Sequence, residues 1–132
     1  MSYALTELQA DILKVLWARG ETTVVDVHDA LRAGRRVAQS TVATLLSRME
    51  KKGLVSHRVD GRQYVYRAVV DEGQVRRSVV AEFTELAGRL FEGDVATMVS
   101  HLLTAQEVEG RDLARIREMV DRREAELKGE SR

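Results

Sequence analysis

Two stretches decide the fold: Gln39-Ser40-Thr41-Val42-Ala43-Thr44-Leu45-Leu46-Ser47-Arg48-Met49-Glu50-Lys51-Lys52-Gly53-Leu54 and, a few residues on, Val59-Asp60-Gly61-Arg62. Val42, Leu45, Leu46 and Met49 recur at helical spacing, so the first stretch has one apolar face. Its other face carries Gln39, Ser40, Ala43, Thr44, Ser47, Arg48 and Lys51, with Thr41 at the edge: short side chains first, cations later. Gly53 supplies a left-handed cap that ends the helix. From Leu54 the period changes from 3.6 to 2. Residues 54–59 and 62–68 are β-rich runs around Asp60-Gly61, a dipeptide that predicts a type I′ hairpin. The outer faces of this hairpin carry His57 or Arg58, Arg62 and Arg67, while Val55, Val59, Val65 or the tyrosines Tyr64 and Tyr66 pack inward. Alternation alone leaves that register open.

Upstream, Leu5, Leu8, Ile12, Val15 and Leu16 mark a helix over 6–18, opened by the capping pair Thr6 and Gln9 and closed by Gly20. Thr23 and Asp26 open a second, two-turn helix through Val24, Val27, Ala30 and Leu31 that stops near Gly34. Trp17, at the end of the first helix's apolar face, reads as core. Three helices and a hairpin therefore occupy residues 1–70.

Beyond Asp71 the strand signals cease. Val75, Val79, Phe83, Leu86 and Leu90 form one apolar stripe ending near Gly93. A short helix opened by Asp94 carries Val99 and Leu102, and a last one carries Leu113, Ile116 and Val120. Three helices without a core of their own call for a partner, most simply a second copy in a twofold homodimer. Folding back onto the N-terminal module is the alternative. The fold class is thus mostly α with a small β-hairpin wing: a winged helix-turn-helix domain at 1–70 and a helical dimerisation region at 71–132.

Composition narrows function. The 132 residues contain no cysteine, which excludes disulfides, thiolate metal sites and cysteine nucleophiles. No apolar run approaches the roughly 20 residues that cross a bilayer, and the start lacks a basic segment followed by an apolar one. The expectation is a cytoplasmic chain without membrane insertion. His28, His57 and His101 match no metal spacing, and no Ser, His and Asp arrangement offers a nucleophile, so neither cofactor nor catalysis is expected.

Lys plus Arg equal Asp plus Glu at 21 each, but the balance is split. Residues 32–67 hold nine basic side chains against Glu50 and Asp60 alone, and that local charge can hold a polyanion within a Debye length of roughly 8 Å. A helix fits the DNA major groove, and Gln39, Ser40, Thr41, Ala43 and Thr44 are short enough to let its backbone approach base edges. Arg48, Lys51 and the Arg35-Arg36 loop fall beside phosphates, with Arg62 at the hairpin tip and Arg58 behind it. Two other readings share this pattern. One is a MarR-type regulator, which an apolar cavity between the first and fourth helices would favour. The other is a winged-helix adaptor that binds protein.

Several segments carry a likeness beyond pattern: Leu5-Thr6-Glu7 through Leu16-Trp17, Ser40 through Leu54, Gly61-Arg62, Tyr64-Val65-Tyr66, and Leu90-Phe91-Glu92-Gly93-Asp94. In these the chain resembles the penicillinase-repressor (BlaI/MecI/CopY) family over nearly its whole length. The resemblance implies a homodimeric repressor on a pseudo-palindromic double-stranded DNA operator. It also implies relief of repression when a membrane sensor peptidase leads to cleavage in the dimerisation region, here at His101-Leu102. Four departures accompany it. Staphylococcal relatives have Asn-Phe at the cleavage position, and the chain lacks the thiolates of a copper-responsive relative. Ala38 stands where relatives place a Ser cap, and Ala43 where they place a larger polar residue, so the operator sequence need not be theirs.

Overall fold

Local chemistry sets the helix ends. In the computed structural model, which describes residues 3–34, 36–105 and 107–130 (Glu130 by its backbone alone), Thr6 caps α1 (Glu7–Arg19). The Thr6 hydroxyl accepts from the Gln9 N–H and the Gln9 side chain accepts from the Thr6 N–H, so two orphan donors are satisfied reciprocally. Thr23 caps α2 (Val24–Leu31) through the Asp26 N–H. α3 (Gln39–Lys51) starts at Ala38 with no side-chain cap, an omission that costs about 1 kcal/mol relative to a Ser or Asp there. It ends in a Schellman motif: Leu54 N–H donates to the Met49 carbonyl and Gly53 N–H to that of Glu50, both at 3.0 Å, with Gly53 at φ 80°. That turn feeds the chain directly from α3 into the sheet.

The sheet has three antiparallel strands in the order β1 (Thr22–Thr23), β3 (Gln63–Ala68), β2 (Val55–Asp60). The hairpin was legible; β1 was not, because two residues carry no periodicity. The turn also differs from the expected one. Asp60 pairs with Gln63, which leaves Gly61-Arg62 as the tip rather than Asp60-Gly61. Only Gly61 has positive φ, at 64°, whereas a type I′ turn needs it at both central residues. Glycine in the first place is the type II′ pattern, and it puts Arg62 at the apex. The register places Val55, His57, Val59, Tyr64, Tyr66 and Ala68 on one face and Ser56, Arg58, Asp60, Gln63, Val65 and Arg67 on the other. Tyr66 and Val65 are buried on opposite faces, while Val59, expected as an inward candidate, is 64% exposed.

The core joins Ile12, Leu13 and Leu16 of α1, Val27 and Leu31 of α2, Val42, Leu46 and Met49 of α3, and Leu54, Val55 and Tyr66 of the hairpin. Each large aliphatic buried here contributes roughly 1.5–3 kcal/mol. Trp17 packs against this cluster, and its indole N–H donates to the Val70 carbonyl at 2.9 Å, tying α1 to the segment after β3.

The chain divides into two compact units, one running to Phe83 and the other from Thr84, so the division falls inside α4 (Glu72–Leu90). In the first unit Val75 is buried. In the second, α4 closes at Gly93, whose N–H donates to the Gly88 carbonyl. Asp94 then caps α5 (Val95–Ala105), accepting from the Thr97 hydroxyl at 2.6 Å and its N–H at 3.1 Å. Those bonds, the hydroxyl's first, hold the Asp94 carboxyl below the usual range. α6 (Gly110–Glu130) follows. Among the described residues no helix is long and apolar enough to cross a membrane.

Candidate nucleic-acid interface

The apolar side of α3 is consumed by the core, so its polar side faces solvent. Gln39, Ser40, Thr41, Thr44, Ser47, Arg48 and Lys51 are exposed, and Ala43 is half-buried. A concavity lies along each flank of the helix. The larger, about 500 Å³, is bounded by Gln39, Ala43 and Ser47 on α3, by Arg62, Gln63 and Tyr64 on the hairpin, and by Val25 on α2. The smaller is lined by Ser40, Thr41, Thr44, Leu45 and Arg48. The Thr44 hydroxyl donates back to the Ser40 carbonyl at 3.0 Å, which leaves its oxygen lone pairs outward.

Cations frame this surface. Arg36 shares a third concavity with His28 and Arg32 at the turn before α3. His28 braces that turn: its Nε2–H donates to the Val37 carbonyl at 2.7 Å. Arg36, Arg48, Lys51 and Arg62 are exposed and make no ion pair among the described residues. Arg58, grouped with them from sequence, differs. It lies on the strand face opposite His57 and pairs with Glu21, so its charge is already answered within the module. Arg35 lies outside the described residues.

Where the hairpin leaves the body, His57 meets α3. Its Nδ1–H reaches both Glu50 carboxylate oxygens, at 2.7 and 2.9 Å, and its backbone N–H donates to the same group at 3.2 Å. The imidazole stacks on Tyr64 with centroids 4.1 Å apart and leans on Tyr66 at 5.3 Å. Burial first, then the Glu50 charge and Tyr64, push the Tyr66 hydroxyl above its ordinary pKa. This cluster and the side chains of Val25 and Gln63 escaped the sequence reading. Glu50 was visible there only as one of two acids in a basic block.

The residues expected at a subunit interface fall into two groups. Val75 is 4% exposed and belongs to the interior of its own unit, so it has no face to offer a second chain. Along α4 exposure then climbs through Val79, Phe83 and Leu86 to 75% at Leu90. Val99, Leu102, Leu113 and Val120 are exposed and Ile116 is half-buried. His101 and Leu102 are exposed within α5, and the His101 ring meets Phe91 edge-on at 5.1 Å.

Three helices with an exposed polar third helix and a three-stranded wing define a winged helix-turn-helix protein. Consistent with that fold, the PcaV transcriptional regulator of Streptomyces coelicolor, solved with its natural ligand, superimposes with a TM-score of 0.52 at 22% identity, covering 92% of this chain and 75% of that one. The penicillinase repressor family model matches residues 5–122, and the chain belongs to that family. It is similar to the penicillinase repressor of Bacillus licheniformis, 21% identical over 117 residues and 89% of each chain. It is also similar to the transcriptional regulator BlaI of Mycobacterium tuberculosis, 42% identical over 66 residues, or 49% of this chain and 48% of that one.

Proposed function

We propose that the protein is a homodimeric, sequence-specific DNA-binding repressor without enzymatic activity, each subunit laying α3 in a major groove and Arg62 on the flanking backbone. The observation that carries this reading is the joint exposure of short polar side chains on α3 and four cations around them that no acid of the described module engages. Gln39, Ser40, Thr41, Ala43 and Thr44 read bases. Arg36, Arg48, Lys51 and Arg62 hold phosphates. Exposed apolar side chains on α4, α5 and α6 serve the second copy. The operator is a pair of half-sites, as twofold symmetry requires.

In the same reading repression ends by proteolysis at His101-Leu102, started by a membrane sensor peptidase in a cell whose cytosol holds the repressor. That bond sits inside α5, so the helix must open locally before a protease can take it as an extended chain.

Substitution separates the two roles. Arg48→Ala and Arg62→Ala are expected to weaken binding to every duplex by similar factors and to flatten the salt dependence. Ser40 and Thr44 variants are expected to change the preferred sequence by roughly 1–3 kcal/mol per base pair. Equal behaviour of all four in a competition selection would contradict the division.

One observation favours a second reading. A cavity of about 380 Å³ lies between α1 and the first half of α4, walled by Leu5, Leu13, Trp17, Val75 and Val79, with Lys14 and Arg76 at its edges. Glu72 also lines it and pairs with Arg76, so the mostly apolar walls suit a small apolar effector. The single tryptophan reports on it directly: a ligand that quenches Trp17 should also release DNA. Fluorescence unmoved across a panel of small apolar and aromatic compounds would remove this reading.

A further inference from the structure

We propose that Glu50 and His57 form a pin that fixes the wing's angle to α3, making both of them positioning residues for the contact between Arg62 and DNA. The inference rests on the interface proposed above and adds to it a part that touches no DNA.

The wing needs such a device. Leu54 and Val55 are buried in the core, but every residue from Arg58 to Tyr64 is exposed, so beyond His57 only the solvent-exposed pair of Arg58 with Glu21, on the opposite strand face, ties β2 to the body. A short hairpin in water is marginal by itself. Four residues at a rise of about 3.3 Å carry the tip roughly 13 Å beyond His57, so a tilt of about 15° displaces Arg62 by roughly 3 Å. A phosphate hydrogen bond tolerates a few tenths of an ångström.

The pin is built for direction. One carboxylate takes the imidazole N–H and the backbone N–H of the same residue, which fixes the strand as well as its side chain. Tyr64 clamps the ring from the far side, and its own register partner, Val59, lies one step nearer the tip. Glu50 stands on the helix that bears Ser40, Thr44 and Arg48. The angle being set is therefore the one between base reading and backbone clasp. Charge-assisted geometry of this kind is shorter and stronger than a neutral contact.

A double-mutant cycle tests it. In the natural chain Arg62→Ala should cost about tenfold in affinity for a half-site duplex; in a Glu50→Ala background it should cost less than twofold, because the tip no longer meets its phosphate. Glu50→Gln, which keeps an acceptor, should restore most of the coupling, as a role confined to stability would not require. A second readout needs no DNA. The cysteine-free chain accepts nitroxide labels at Thr41→Cys and Val59→Cys, and their distance distribution should be narrow in the natural chain and broad in Glu50→Ala. Equal Arg62→Ala costs in both backgrounds, or equally narrow distances, would overturn the pin alone. A silent Arg62→Ala in the natural chain would overturn the pin together with the wing contact on which it rests.

Discussion

Leu86→Glu is expected to convert the protein to single chains at micromolar concentration and to abolish tight binding to a two-half-site operator, with half-site affinity unchanged. Leu86 is 62% exposed in the single chain, so the substitution leaves the core untouched and the melting of the winged unit should not move. In a dimer the burial of a leucine is worth roughly 1.5–3 kcal/mol. A twofold interface counts it twice. Placing an unpartnered carboxylate there costs several kcal/mol more. The sum exceeds about 5 kcal/mol, which weakens dimerisation by more than roughly a thousandfold. Sedimentation and operator titration measure the two consequences separately. A dimer that survives the change would place the interface elsewhere on α4, α5 and α6.

Operator affinity should fall by roughly four decades between 50 and 200 mM salt. If Arg36, Arg48, Lys51 and Arg62 of both subunits of the proposed dimer each meet a phosphate, about eight contacts form, and each displaced counterion contributes about 0.9 to the log–log slope. Net charge gives no hint of this behaviour, because the whole chain is formally neutral at pH 7. What matters is that, among the described arginines and lysines around the wing, α2 and α3, acids engage only Arg58 and Arg32. A slope shallower than about 2 would mean that these side chains do not anchor the complex.

Much of this architecture is legible in the sequence. Thr6, Thr23 and Gly53 act over three or four residues, and such local chemistry survives any tertiary context. The third helix declared both of its faces through spacing alone. Other features depended on partners distant in sequence. Arg58 looked like its neighbours until Glu21, 37 positions away, was found beside it. The hairpin turns one residue later than Asp60-Gly61 favours, in a register where Val55 and Tyr66 are buried and His57 meets Glu50, contacts that no local turn preference encodes. Val75 fits the stripe of α4 by periodicity, yet its own unit covers it. The small-residue face of α3 was readable, but the hairpin and α2 side chains that complete the larger concavity were not, since no repeat links residue 25 to residues 39 and 63.

The claim that α3 and the wing together form a surface for duplex DNA, used twice per assembly, is most directly tested by selecting bound fragments from random duplexes and weighing the selected complex. The expected outcome is a pseudo-palindrome with half-sites about one helical turn or a multiple apart, bound by two chains. Fragments without a common sequence, or one chain per selected site, would contradict it.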